Sequence, residues 1–156
     1  RVVGVNLDSV FLCCRAVIPA MRGAGYGRIV SVASVAGKQG NPNMAGYSAG
    51  KAAVIGLTKA LGLCHSKDKI RVNAICPGPV GDTGMMNDDL DQQPDRVAAA
   101  QKVIDAAPIA KAHGRMIHPH EVAQSILYLV SDAAVMVTGT MLTIDGGKSL
   151  GVPPKA

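Results

Sequence analysis

Arg28-Ile29-Val30-Ser31-Val32-Ala33-Ser34 leads, through a stretch rich in glycine, proline and asparagine from Gly37 to Gly46, into Tyr47-Ser48-Ala49-Gly50-Lys51. The first segment is a short apolar run, which over residues 28–33 predicts a strand, and the second opens a long apolar segment, which to about Cys64 predicts a helix. Outward from this pair, residues 5–22 space Phe11, Cys14, Val17 or Ile18, and Met21 three to four apart, as a helix does. Pro19 should weaken its last turn, and Gly23-Ala24-Gly25 should break it. Ile70 to Cys76 predicts a second strand, ended by Pro77-Gly78. Val122, Ile126, Leu129 and Val130 mark a helix introduced by Pro119, and Met141 to Ile144 a closing strand before Gly146-Gly147. Strands alternating with helices make an α/β chain with a parallel sheet. The helix from Tyr47 carries Ala53, Val54, Ile55, Leu57 and Leu61 around most of its circumference, so it is expected to be buried on both sides.

At 156 residues the chain is long enough to bury a moderate core as one domain. Its 48% apolar and 17% charged content excludes a disordered chain. No uninterrupted apolar run approaches the ~20 residues of a membrane span and no secretory pattern opens the chain, so a soluble, cytoplasmic protein without a membrane partner is expected. The formal net charge of +5 does not amount to a nucleic-acid interface, because Lys and Arg are scattered and aromatic residues are nearly absent. Cys13, Cys14, Cys64 and Cys76 lack metal-ligand spacing. Three fall at apolar positions, as small core residues in a reducing compartment would. His118-Pro119-His120 reads as a helix start rather than a metal site. Asp82, Asp88, Asp89, Asp91 and Asp95 lack the glycine and final glutamate of a calcium loop, so no metal is expected.

Tyr47 and Lys51 stand one helical turn apart and share a face. A phenol ordinarily titrates near ~10, too high for proton transfer at neutral pH, and an adjacent ammonium lowers such a value at about 1.4 kcal/mol per unit. The pair therefore has the makings of a general acid/base. Singly, each candidate has a structural reading: a surface Tyr–Lys pair, a strand-end turn at Ser34, a helix cap at Asn6. Together they are ordered Asn6, Ser34, Tyr47, Lys51, followed by Ile70-Arg71-Val72-Asn73-Ala74-Ile75-Cys76-Pro77-Gly78. Open parallel sheets bind ligands at the carboxyl ends of their strands. Ser34 follows one strand, Pro77-Gly78 ends the next, and Tyr47 starts the helix between them, so all three can meet in one crevice.

In this order and spacing, from Asn6 to Asp145-Gly146-Gly147, the chain resembles the short-chain dehydrogenase/reductases, in particular their large single-domain subgroup. The resemblance implies the C-terminal part of a doubly wound, Rossmann-like sheet over residues 1–156, without the glycine-rich phosphate loop of the opening half. It implies an oxidoreductase that uses NAD or NADP on a secondary alcohol or ketone, assembled as a homotetramer. By resemblance Asn6, Ser34, Tyr47 and Lys51 are the catalytic tetrad. Tyr47 exchanges the proton, Ser34 holds the substrate oxygen, Lys51 supports Tyr47 and bonds the nicotinamide ribose, and Asn6 holds a water. Cofactor contacts fall on Tyr47, Lys51, Pro77, Gly78, Val80 and Thr83. Asp82 stands where the family usually has its Thr, so Thr83 would reach the cofactor through one extra loop residue. Residues 84–118 correspond to a mobile lid over a small-molecule substrate.

The polar Gly40-Asn41-Pro42-Asn43 loop, in a chain with one Phe and no Trp, suits a sugar, sugar acid or polyol. A 3-oxoacyl thioester is the alternative, and a non-catalytic fragment or assembly partner is the reading from another class.

Overall fold

The computed structural model describes residues 1–151, so the end of the expected 1–156 span lies outside the described residues. Strands β1 (Gly27–Val32), β2 (Ile70–Pro77) and β3 (Met141–Ile144) form one parallel sheet in the order β1-β2-β3. β1 runs from Gly27 opposite Ile70 to Val32 opposite Ile75, and β3 pairs Met141 with Ala74 through Ile144 with Pro77. Parallel pairing needs crossover helices, and the chain supplies them in α3 (Ala45–His65) after β1 and α7 (Pro119–Val130) before β3. Every residue of β2 is buried. A central strand covered on both faces buries polar and apolar positions alike, so Arg71 and Asn73 are buried together with Ile70, Val72, Ala74, Ile75 and Cys76.

Alternate residues of β2 face opposite sides. Ile70 and Val72 pack with Cys14 and Ile18 of α1 (Ser9–Ala24), while Ala74 and Cys76 pack with Ala33 and with Val54 of α3. The other side carries Arg71 and Asn73. Arg71 donates to Leu129 O at 2.7 Å and Ser131 O at 3.1 Å, at the end of α7. A guanidinium there satisfies carbonyls left open by the helix end and complements its dipole. Asn73 donates to Val137 O at 2.9 Å and accepts from Thr140 N at 3.1 Å, aligning the entry to β3.

The helix expected at 5–22 begins as a π-helical turn at Gly4–Asp8 and continues as α1 to Ala24, with Gly25 at φ 64 closing it. Gly4–Ala24 is long and apolar enough, by length and composition, to cross a membrane. No uninterrupted apolar run reveals it in the sequence, because Asp8, Arg15 and Arg22 break the stretch. Its Cys14 and Ile18 pack on the sheet, and Phe11, Leu12 and Val17 are exposed. α3 is buried along one face only, at Gly50, Val54, Thr58 and Gly62, and Leu63 is 80% exposed. Its apolar circumference therefore does not correspond to two buried sides within this chain. Cys14 and Cys76 are buried but Cys13 and Cys64 are exposed, so two cysteines rather than three are core residues.

The region between β2 and α7 shows no helical period in its sequence, yet it holds α4 (Gly84–Asp91), α5 (Arg96–Asp105) and α6 (Pro108–His113). Local chemistry starts them. Thr83 accepts from Met86 N, Asp95 accepts from Ala98 N, and Pro108 occupies the first turn of α6. A short helix α2 (Ala36–Gln39) also interrupts the expected 37–46 loop.

Candidate active site

The ends of β1 and β2 are tied together past the sheet. Ala33 N donates to Ile75 O at 2.8 Å and Val35 N to Pro77 O at 3.1 Å, which fixes Ser34 between them. The Ser34 hydroxyl accepts from Ala36 N at 3.1 Å, opening α2. α2 then lies directly on α3. A Cβ at Gly37 would sit 2.6 Å from the carbonyl carbon of Lys51, so only glycine permits this crossing. Tyr47 occupies the first turn of α3, and Lys51 follows one turn later.

Lys51 Nζ donates to Val32 O at 2.8 Å and lies 5.6 Å from the Tyr47 ring centroid. Burial pushes the Lys51 pKa down. Its charge is still the nearest cation to the phenol ring, and it acts through less water than a surface ammonium would.

Ser34, Tyr47, Lys51, Gly78, Val80 and Thr83 line one cavity of about 410 Å³, to which Pro77 also contributes. A second cavity of about 350 Å³ shares Ser34, Tyr47 and Gly78 and is also lined by Asn41, Lys102 and Lys148. Of the sequence-predicted site residues, all but Asn6 line the first cavity. The Asn6 amide donates to Val2 O at 3.0 Å within the π-helical turn. Its Cβ lies against α3 at Gly50, where an added Cβ would approach it to 3.3 Å. Asn6 thus packs on α3 beside Gly50 and does not line either cavity.

Gly78 lets the exit of β2 pass the exit of β3, since a Cβ there would lie 3.0 Å from Asp145 Cα. Asp82 adopts φ 53, a left-handed conformation that Asp tolerates better than most. The loop is pinned by Gly81 N to Ile117 O at 2.9 Å and Ile117 N to Pro79 O at 3.3 Å. The Thr83 hydroxyl donates to Val80 O and accepts from Met86 N, each at 3.2 Å, so it closes the loop and caps α4 while lining the cavity.

The first cavity suits the nicotinamide–ribose end of a dinucleotide. Val32, Val80 and Val122 offer flat apolar walls, and the hydroxyls of Ser34, Tyr47 and Thr83 with the Lys51 ammonium offer partners for sugar hydroxyls.

Sequence reasoning missed Met85, Met86 and Asp89 of α4, Lys102 of α5, and Lys148 beyond β3. One signal was present, because Met86 and Leu90 stand four apart directly behind the Thr83 cap. Lys102 and Lys148 come to the cavity from elements far apart in the chain, and no local pattern announces them.

Residues 1–149 match the family model described as enoyl-(acyl carrier protein) reductase. The chain is 37% identical over 147 residues to 2-(S)-hydroxypropyl-CoM dehydrogenase 3 of Xanthobacter autotrophicus, covering 94% of this chain and 56% of that protein. It is 37% identical over 150 residues to 2-keto-3-deoxy-L-fuconate dehydrogenase of Xanthomonas campestris, covering 96% of this chain and 49% of that one. The crystal structure of an NAD+-bound xylitol dehydrogenase superposes with a TM-score of 0.85 at 33% identity, covering 93% of this chain and 58% of the other. The chain spans about half the length of the curated relatives it matches.

Proposed function

This chain belongs to the short-chain dehydrogenase/reductase family, and from that premise we propose that the protein carrying it is an NAD- or NADP-dependent oxidoreductase. It interconverts a secondary alcohol and a ketone on a small polar substrate such as a sugar, sugar acid or polyol. The observation that carries this reading is the convergence of Ser34, Tyr47 and Lys51 on one cavity at the carboxyl ends of β1 and β2.

The nicotinamide, when bound, supplies or accepts the hydride. Tyr47 donates a proton to the carbonyl oxygen, or removes one from the alcohol in the reverse direction. The Ser34 hydroxyl hydrogen-bonds the same oxygen and fixes its position before reaction, so little reorganisation is left to do. Lys51 carries positive charge beside the phenol and bonds the ribose hydroxyls. Asn6 backs Lys51 across Gly50 and orders a water on that side. Pro77, Gly78, the Val80 backbone and Thr83 receive the carboxamide end.

Residues 84–118 act as the lid, since Met85, Met86 and Asp89 stand over both cavities. The exposed Phe11, Leu12 and Val17 of α1 and Leu63 of α3 suit burial in a homotetramer, and the free cysteines suit a reducing, cytoplasmic compartment. The fuconate and xylitol relatives support the sugar-acid and polyol class. A 3-oxoacyl thioester is the second reading, favoured by the similarity of the chain to 3-oxoacyl-(acyl carrier protein) reductases.

Turnover of the purified protein with NADH and NADPH, using a keto sugar acid, a ketose and an acetoacetyl thioester, tests the reading. Reduction of at least one substrate is expected, with Tyr47→Phe lowering kcat by about 10²–10⁴. Wild-type turnover in Tyr47→Phe would sink the assignment of Tyr47.

A further inference from the structure

The second cavity has charged lining residues that the proton-transfer residues do not explain. Besides Ser34 and Tyr47 it is lined by Lys102 of α5, by Lys148, and by Gln39 and Asn41. One carboxylate, Asp89, also lines it. Neither Lys102 nor Lys148 makes an ion pair or a side-chain hydrogen bond among the described residues. The other lysines and arginines of this region are engaged: Lys111 with Asp105, Arg96 with Asp91, Arg115 with Glu121.

Lys148 is set in place by its backbone. Its amide donates to Asp145 O at 3.1 Å, and the buried Asp145 carboxylate accepts from Gly147 N at 2.9 Å and Ser149 N at 2.8 Å. Lys102 rides on a capped helix. Two ammonium groups from separate elements therefore line a cavity of about 350 Å³ that also contains the reacting hydroxyls.

We propose that Lys102 and Lys148 bind an anionic group, a carboxylate or sulfonate, carried by the substrate whose carbonyl faces Tyr47. This rests on the oxidoreductase reading of the same site and narrows it to substrates that carry an anion. Ammonium–carboxylate hydrogen bonds are stronger than neutral ones, although at an open cavity mouth screening reduces them. Asp89 opposes the anion and rejects substrates that would crowd it.

The test uses levulinate and its methyl ester, which share one ketone and differ in charge. Each is titrated calorimetrically into the purified protein with saturating NAD+ or NADP+, where no reduction occurs. Levulinate is expected to bind about tenfold more tightly than the ester, a difference of about 1.4 kcal/mol. In the double variant Lys102→Met, Lys148→Met that ratio should fall to near one, with an unchanged circular-dichroism spectrum. Asp89→Asn, which leaves both lysines in place, should strengthen levulinate binding severalfold. A ratio at or below one in the wild type, a ratio unaffected by the double variant, or no response to Asp89→Asn overturns the proposal. Turnover separates it from the underlying reading. If levulinate binds selectively but no ketone is reduced with NADH or NADPH, the keto sugar acid, ketose and acetoacetyl thioester included, the anion site stands and the oxidoreductase reading falls. If both ketones are reduced with equal kcat/KM and neither is preferred in binding, the anion site falls and the oxidoreductase reading stands.

Discussion

β2 buries all of its residues and is paired on both sides, whereas α5 buries none and α4 and α6 bury only Leu90 and Ala110. Both regions line the candidate site. The sheet fixes the groups proposed to react, through backbone ties such as Ala33 to Ile75 and Val35 to Pro77. The 84–118 segment presents Asp89 and Lys102, two of the groups proposed to select, on helices held by caps and ion pairs at its surface. Proton transfer tolerates little positional error, while a rim that must admit substrate is better built from elements of low local stability.

The sharpest way to break this contrast is to truncate one side chain in each region. Ile75→Ala should cost about 2–5 kcal/mol in urea unfolding, since a fully buried branched side chain leaves a cavity. Val97→Ala on α5, where Val97 is 78% exposed, should stay within about 0.5 kcal/mol. Equal costs would erase the distinction. Gly37→Ala tests whether the α2–α3 crossing positions Lys51. The added methyl has backbone, not a flexible side chain, as its neighbour, so a loss of about 1–3 kcal/mol is expected, with reduced kcat. Unchanged stability and turnover would mean that the crossing has slack.

Within the rim, Thr83→Ala removes the α4 cap and should cost about 1 kcal/mol. The loss should appear as faster amide exchange confined to α4, and loss spread over β2 would contradict the separation of the two regions. The smallest effect is a pH dependence. Hydrogen bonds from Arg115, then from the His118 amide, hold the Glu121 carboxyl at about 2, below its ordinary 4.5. Because the folded value lies below the unfolded one, the stabilisation is complete above about pH 4.5 and is lost as pH falls toward about 2. Melting curves at about pH 6 and about pH 3 should therefore differ more in the wild type than in Glu121→Gln.

The same contrast accounts for what could be read beforehand. β1, β2 and β3 were legible as short segments rich in apolar and β-branched residues bounded by turn residues, and Ser34, Tyr47 and Lys51 because strand end and helical turn fix their spacing. α4, α5 and α6 were not, since α4 is Asp-rich, α5 relies largely on alanines, and α6 spans only six residues, so none shows a strong helical period. Their starts were visible only as Thr83, Asp95 and Pro108. Where the outer face of α3 is covered could not be read beforehand, because composition reports what a helix can bury, not what one chain brings to it. Lys102 and Lys148 reach the cavity only through tertiary placement.

The central claim is hydride transfer at the Ser34–Tyr47–Lys51 cavity. The most direct measurement supplies the purified protein with reduced nicotinamide cofactor carrying deuterium at both hydrogens of its reacting carbon, together with a keto sugar acid, and analyses the alcohol by mass spectrometry. The account predicts one deuterium in the product from the wild type and a rate at least about 100-fold lower from Tyr47→Phe. Unlabelled alcohol, or labelled alcohol formed as fast by Tyr47→Phe, would contradict it.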